Sequence, residues 1–452
     1  MIMYNEERQP IINKSSILII VLSILLIVFV VMFLFNRREW VIESISPGDI
    51  AGSIVILQDG SLWTWAASQE LGMVQEPFHL MDNVVQAESG DGIIVLTMDG
   101  VLWRITNFLD LIADKQLEPE IEKIMENVKY FRAVMSAISI ICNDNNLWLM
   151  HTEWRRAVSI YYAEDEELQR ASELIPQLTD PYYINPILVL SNVRYVDREG
   201  EMAITYDDVL WGWGRNELGG VGDGTTLDRM IPVQILDDVQ HVDGLFHRMA
   251  LRNDGTLWAW GENYFGQIGN GLRENQLTPV QVLDDVRAFS AGHGVSMAIR
   301  NDNTLWAWGA NYWGHVGDGT RTTRTQPVKI MDDVLYARAG GYIFFQFDDW
   351  ATGIHIPSFA IRTNGSLWAW GDNRLAQLGI GRRGTGVTIP VRIMNNVVYV
   401  SSSAHLNAAV QRNGTLWIWG GMTALVIQFE LSRSSAWGFY PERIINNVRL
   451  SR

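Results

Sequence analysis

The chain has 452 residues and a formal net charge of −16, with 19 tryptophans, 39 glycines, 13 prolines and a single cysteine, Cys142. One cysteine excludes an internal disulfide framework and a cysteine-rich metal site, and the acidic balance opposes a phosphate backbone. No basic stripe with interleaved aromatics is present, so nucleic acid is not expected as a partner, and abundant Trp and Gly with weak helical patterning indicates an all-β chain.

In chain order, residues 1–14 read as a short N-terminal tail and residues 15–36 as a transmembrane helix. Ile17 to Phe35 is apolar apart from Ser23, and a helix of that length reaches about 28 Å, close to the hydrocarbon thickness of a bilayer. The run is long for a cleaved signal peptide, and Asn36-Arg37-Arg38-Glu39-Trp40 offers no small-residue cleavage site. An uncleaved signal anchor is expected. Arg8 and Lys14 before the helix balance Arg37 and Arg38 after it, so basic flanks leave the orientation open. A short tail before a large domain is the usual layout of an N-in anchor, which places the propeller described next outside the cytoplasm. The first 39 residues carry four basic and three acidic side chains, so the remainder carries −17.

From residue 37 to 452 the chain is an array. Leu-Trp recurs at Leu62-Trp63, Leu102-Trp103, Leu147-Trp148, Leu210-Trp211, Leu257-Trp258, Leu305-Trp306, Leu367-Trp368 and Leu416-Trp417, and six of these eight copies add a second Trp two positions on. Residues two apart share one face of a strand. A turn pair precedes each copy, as in Asp59-Gly60, Asp254-Gly255, Asn364-Gly365 or Asp302-Asn303, and suggests a two-residue hairpin with a primed turn. Upstream stands an Asn-Val or Asp-Val step, from Asn83-Val84 to Asn447-Val448, commonly with a proline five to seven residues before it, as at Pro279 and Pro327. Each module thus offers about four short strands, the content of one propeller blade. The first Leu-Trp lacks the upstream segment and the last Asn-Val lacks a following Leu-Trp, so the two ends are complementary halves of one module. The expectation is a closed β-propeller of seven or eight four-stranded blades, with Tyr440 to Leu450 pairing as an outer strand into the blade that contains Leu62-Trp63.

Two spacings between anchors, 63 and 62 residues, are longer than the rest. The first insertion contains a short acidic helical pattern from Tyr161 to about Leu174, and the second the run Phe344-Phe345-Gln346-Phe347-Asp348-Asp349-Trp350. Insertions in repeat proteins map to loops that carry function, so Phe344, Phe345, Phe347 and Trp350 are the candidate binding residues. A longer strand, or a loop folded back as a plug, is the competing reading.

The segment Gly261-Glu262-Asn263-Tyr264-Phe265-Gly266-Gln267-Ile268-Gly269-Asn270-Gly271 after Leu257 to Trp260 has near copies at Gly214 to Gly224, Gly309 to Gly319 and Gly371 to Gly379. These residues resemble the repeat of the regulator of chromosome condensation family, strongly over about 200–420 and through degenerate copies over 40–200. The resemblance implies a propeller, usually seven-bladed, whereas eight modules are counted here. Family members include a nuclear exchange factor for a small GTPase, a plant ultraviolet-B photoreceptor and secreted bacterial inhibitors of β-lactamase. What they share, and what the resemblance implies here, is protein binding across one propeller face. The photoreceptor's Gly-Trp-Arg-His-Thr repeats are missing, so the tryptophans read as core.

No zincin, nucleophile-elbow or phosphate-loop motif occurs, and no catalytic residue, metal ligand or cofactor is expected. The Gly-rich stretches at Gly220 to Gly224 and Val316 to Gly319 lack full ligand spacing and read as structural turns. His247, His293 and His405 fall in repeat register, a packing or inter-blade hydrogen-bonding position. Cys142 reads as a small core residue. The function expected is a non-enzymatic, membrane-anchored, extracellular protein-binding scaffold of open oligomeric state. The alternative is a glycan or cell-wall binder, or a wall-active enzyme, using free tryptophans such as Trp350 and Trp437.

Overall fold

A computed structural model describes residues 40–41, 53–56, 59–65, 78–90, 92–106, 119–134, 137–151, 186–197, 199–347, 350–402, 407–420, 442–445 and 448–449. Among these residues every regular element is a strand, and no helix is long and apolar enough to cross a membrane. The expected anchor Ile17 to Phe35, the pattern from Tyr161 to Leu174, and Trp437 lie outside the described residues.

Seven sheets have four antiparallel strands each, and an eighth has three. The three-stranded sheet, blade 1, is Ser53–Ile56, Leu62–Trp65 and Phe78–Met81. Blade 2 is Val84–Gly90, Gly92–Thr97, Leu102–Ile105 and Ile121–Met125. Blade 3 runs from Val128–Val134 to Ile187–Leu190, and blade 4 from Val193–Val196 to Arg229–Leu236. Blade 5 is Val239–Gly244, His247–Arg252, Leu257–Gly261 and Gln276–Leu283, and blade 6 is Val286–Ala291, Val295–Arg300, Leu305–Gly309 and Arg324–Met331. Blade 7 is Val334–Arg338, Ser358–Arg362, Leu367–Asn373 and Gly384–Met394. Blade 8 is Val397–Ser402, Asn407–Gln411, Leu416–Trp419 and Glu442–Ile445. The Leu-Trp motif opens the third strand of blades 2 to 8 and the second of the three strands in blade 1.

The turn pairs do supply a left-handed residue, but only one each. In blade 5 the Gly255 amide donates to the Arg252 carbonyl at 3.0 Å and the Arg252 amide to Thr256 at 2.9 Å, with Gly255 at φ 83° and Asp254 not in the left-handed region. This is a type I turn closed by a left-handed bulge residue, not the primed two-residue turn the sequence suggested. Asn145, Asp208 and Asn303 take the glycine's place in blades 3, 4 and 6, at φ 62°, 62° and 65°. Two-residue links such as Asp284-Asp285 join the blades, and the Asn or Asp before the valine is left-handed at all seven described copies, φ 57° to 65°. The valine amide that follows donates to the turn carbonyl of the preceding blade, as Val286 does to Gly255 at 2.9 Å and Val397 to Gly365 at 2.8 Å. One short motif therefore reverses the chain and fastens adjacent blades.

The core lies between blades. Met249, Leu251, Leu257, Ala259 and Ile268 of blade 5 pack against Val286, Ala298 and Trp308 of blade 6, and the same arrangement recurs around the molecule. The second tryptophans, Trp213, Trp260, Trp308, Trp370 and Trp419, are buried, as the repeat predicts. Each covers about 200 Å², which makes them the largest single contributions to blade adhesion.

The C-terminal segment departs from expectation. Glu442–Ile445 is the outer strand of blade 8 itself, pairing with Leu416 to Ile418, rather than of the first blade. The next residues, Val448–Arg449, pair in parallel with Trp40–Val41 and so join the two ends of the array. The outer-strand reading failed because the proline-bearing segment before each Asn-Val step closes its own blade.

Candidate functional site

Because strands alternate in direction, the first–second and third–fourth connections of every blade leave on one face, and the second–third and fourth–first connections on the other. The second face is uniform, built from the turns and two-residue links just described. The longest internal stretches outside the described residues, 66–77, 107–118, 152–185 and 421–441, each follow a Leu-Trp strand, which ends on the first, the loop face. The binding residues expected from the sequence lie there too. Gly341–Phe347 and Trp350–Ile356 form an antiparallel ribbon of seven rungs between the first two strands of blade 7. It is a strand pair rather than an open loop, in line with the longer-strand reading and with the β-forming residues of Tyr-Ile-Phe-Phe-Gln-Phe. Phe347 stands opposite Trp350, Phe345 opposite Thr352 and Phe344 opposite Gly353. By register Phe345, Phe347 and Trp350 share one face of the ribbon and Phe344 the other. Asp348 and Asp349 lie outside the described residues. The ribbon's base is fixed by a parallel bridge between Gly341 and His293 of blade 6. A Cβ on Gly341 would stand 2.1 Å from the His293 carbonyl oxygen, so only glycine allows that approach.

The third–fourth connections of blades 4 to 7 are held by one buried asparagine each, Asn216, Asn263, Asn311 and Asn373. Asn311 Oδ1 accepts from the Val316 amide at 3.0 Å, while Nδ2 donates to Thr322 at 3.0 Å and to Asp318 at 3.1 Å. A glycine further on receives the tryptophan of the next blade. A Cβ on Gly317 would lie 2.6 Å from the Trp370 indole nitrogen, and the Trp370 indole donates to the His315 carbonyl at 2.8 Å. Burial works against the Asp318 carboxylate, but hydrogen bonds from Thr320 and Arg324 outweigh it and hold its pKa below the usual range. Asp223 behaves alike with Thr225 and Arg229. Both carboxylates are committed to the loop, which supports the structural reading of these Gly-rich turns, and among the described residues no three His, Cys, Asp or Glu side chains are grouped to hold a metal.

On this scaffold the residue after each asparagine is presented to solvent: Glu217, Tyr264, Tyr312 and Arg374. Tyr264 and Tyr312 are 58% and 56% exposed, and Phe246 from blade 5 adds 48% nearby in the chain order of the same face. Phe265 meets Tyr312 edge-on with centroids 6.1 Å apart, and Trp313 lies under the Arg374 guanidinium at 4.1 Å. The sequence reading missed Trp313 and this arc of side chains. Its signal was the variable pair after each Asn in otherwise constant loops.

The centre is a second region the sequence reading passed over. Two residues after each Asn-Val or Asp-Val valine stand Gln86, Tyr130, Tyr195, His241, Ala288, Tyr336 and Tyr399. Tyr195 meets His241 with centroids 5.4 Å apart. His241 in turn meets Phe289 of blade 6 with centroids 5.4 Å apart, the Tyr195 hydroxyl donates to the Val242 carbonyl of blade 5 at 3.4 Å, and burial raises the Tyr336 pKa. Arg248, 2% exposed at its side chain, donates to Asp197 at 2.6 Å and to Glu201 at 3.0 Å and ties blade 5 to blade 4. His247 is buried with Nε2 2.9 Å from Ser296 Oγ of blade 6, an inter-blade hydrogen bond of the kind expected, and burial pushes its pKa down to about 3. His293 sits at the ribbon base, and His405 lies outside the described residues. Cys142 is buried with its thiol pushed up to about 11, an unreactive group.

The sequence profile of the Regulator of chromosome condensation (RCC1) repeat matches residues 254–299 and 364–410. The chain carries RCC1 repeats. Each matched RCC1 segment starts at a second–third turn and ends in the second strand of the following blade, so the sequence repeat is offset from the blade by half. That offset explains why Gly269 and the Gln267 carbonyl fall inside the matched segment 254–299 while Trp308, which packs on them, lies beyond it. No curated protein matches the sequence. Solved structures similar to it include yeast RCC1 (Prp20) bound to Kap60, at 18% identity over 73% of this chain and 78% of that one, with a TM-score of 0.47. Prp20p from Saccharomyces cerevisiae is similar at 15% identity over 91% and 90%, with a TM-score of 0.47. Human WBSCR16 is similar at 14% over 90% and 89%, with a TM-score of 0.46.

Proposed function

We propose that this RCC1-repeat chain is a non-enzymatic scaffold that binds a protein partner on its loop face, with the ribbon Gly341–Ile356 as the centre of the site. The observation that carries the reading is the asymmetry of the two faces. One is built from like short turns, and the other collects the ribbon, the exposed Tyr264 and Tyr312, and the asparagine-held connections of blades 4 to 7. Phe344, Phe345, Phe347 and Trp350 supply aromatic area on a strand pair whose base is already fixed, so little order is lost on binding. In the same proposal, Ile17 to Phe35 anchors the chain in a membrane and the propeller stands outside the cytoplasm, its first and last strands joined to close the ring. Sugar stacking is less favoured, since Trp313 has Arg374 and Arg321 over its ring at 4.1 Å and 5.8 Å.

A photo-crosslinking side chain placed at Phe347 of the full-length protein in intact cells should capture a protein. The same side chain at Asp254, on the turn face, should capture none. Equal capture from both positions, or from Asp254 alone, contradicts the assignment of the face. For the anchor, protease added to intact cells should remove the propeller; a domain digested only after lysis contradicts the external location.

A further inference from the structure

We infer that the third–fourth connections of blades 6 and 7 form a docking site for an acidic peptide segment. The inference rests on the protein-binding reading above and names the chemistry of the partner.

In a chain with 51 acidic and 35 basic residues, these two connections have the opposite balance. Arg321, Arg374, Arg382 and Arg383 are all exposed there. The connections hold two carboxylates, and neither is available to a ligand. The Asp318 side chain is 8% exposed and paired with Arg324, and Asp372 is 1% exposed and paired with Arg374 at 2.9 Å. Counting Arg324, the five arginines and two aspartates of 310–324 and 372–386 leave a local charge of +3 on a molecule of −16.

The guanidinium groups are also positioned. Arg374 stacks on Trp313 of the neighbouring blade at 4.1 Å, and Arg321 approaches the same ring at 5.8 Å. Arg321 donates to the Tyr312 carbonyl at 3.1 Å and across to the Thr385 carbonyl at 2.8 Å. Its partners are neutral carbonyls, so they orient the group without cancelling its charge. The Arg374 fork is taken by Asp372, with Nε at 3.0 Å and Nη2 at 2.9 Å, and stacks on the indole as a fixed wall, so the charge offered beside that ring is Arg321's, the group type that binds carboxylates most specifically. The exposed Tyr312 beside them offers apolar area, which favours a peptide over a bare anion. A planar fork that is already placed loses little entropy on binding, and the local field draws acidic chains to this sector of an otherwise repelling surface.

The test uses the full chain in detergent and two fluorescein-labelled dodecapeptides, one of alternating Asp and Glu and one of Asn and Gln. The acidic peptide should bind with an affinity that falls as salt rises, and the neutral one should not bind. Arg321→Gln with Arg374→Gln should weaken binding roughly tenfold or more. Should that pair alter the melting temperature, Arg382→Glu with Arg383→Glu reads the same site from outside the stack and should also abolish binding. Arg412→Gln, on the turn face, should change nothing. Equal binding of the neutral peptide, or equal loss from Arg412→Gln, overturns the inference. Tighter binding of a single-stranded oligonucleotide through the same arginines overturns it as well, by assigning the patch to nucleic acid. The ribbon variant Phe347→Ala with Trp350→Ala should keep peptide binding, so a failure of the ribbon reading and a failure of this one give different results.

Discussion

Blades 5 and 6 meet their neighbours through an indole, whereas blades 2 and 3 meet theirs through aliphatic side chains. Trp260 and Trp308 each fill a slot over a glycine of the preceding blade and donate to a carbonyl there, at 3.0 Å to Gly220 and 2.8 Å to Gln267. The same place in blades 2 and 3 is taken by Ile105 and Met150, both buried, which pack into clusters shared with blades 1 and 2. The slot therefore requires filled volume, while the indole adds a directional bond that fixes the preceding connection. The first tryptophan shows the same division. In blades 5, 6 and 7 its indole donates at 2.9 Å to the Thr or Ser two residues before it. In blades 3 and 4 that residue is Asn146 or Val209, and the buried indole nitrogens of Trp148 and Trp211 have no partner.

This contrast can be tested at four strengths. Trp308→Ala should cost about 4 kcal/mol in chemical denaturation, and Met150→Ala about 2 to 3 kcal/mol, because the second loses volume alone. Equal costs would show that the indole bond adds nothing. Asn311→Ala leaves the Val316 amide and the loop carbonyls it served unpaired and should cost about 3 kcal/mol. A cost near zero would mean that the glycines alone shape the connection.

The third test is a pH dependence. His247 is neutral in the fold with a pKa of about 3, against an ordinary value of 6.5, because it is buried, with His293 and Arg248 adding repulsion. Below 6.5 the unfolded chain takes up a proton that the folded chain refuses. Stability is therefore lost as pH falls from 6.5 toward 3, with a limiting slope of about 1.4 kcal/mol per pH unit from this group. Asn407 holds the corresponding place in blade 8 and donates to the Gln377 carbonyl at 2.8 Å. His247→Asn should accordingly flatten the profile between pH 6 and 4, as a rough window, while folding normally. A profile identical to the parent's would locate the acid sensitivity elsewhere. The smallest effect is a gain: Val209→Thr supplies Trp211 with the acceptor found in blades 5 and 6 and should raise stability by about 1 kcal/mol.

Much of the fold was legible because its signals are local. The Leu-Trp strands, the turn pairs and the Asn-Val links each require a particular backbone conformation at a fixed offset, and all appear where the repeat places them. The turn type was misjudged because a single left-handed residue serves two hairpin classes, and the sequence pair does not tell them apart. The C-terminal strand was misplaced by one blade because the repeat and the blade are out of phase. The ribbon's position could be read from the broken period, and its aromatic residues from composition. The arginine patch could not, since Arg321 and Arg374 are 53 positions apart in sequence and meet only across Trp313. Nor could Tyr130, Tyr195, Tyr336 and Tyr399, of blades 3, 4, 7 and 8, be recognised as a group before the first strands were brought together.

The division between a uniform face that holds the ring and an elaborated face that binds is tested most directly at the ribbon. With the protein captured from Phe347 in hand, its affinity should be measured for the parent chain and for Phe347→Ala with Trp350→Ala, alongside thermal melts of both. A loss of roughly tenfold or more in affinity, with an unchanged melting temperature, is the predicted result. A sharp fall in melting temperature would contradict it, since it would make these aromatics part of the packed body and leave the ribbon without a binding role.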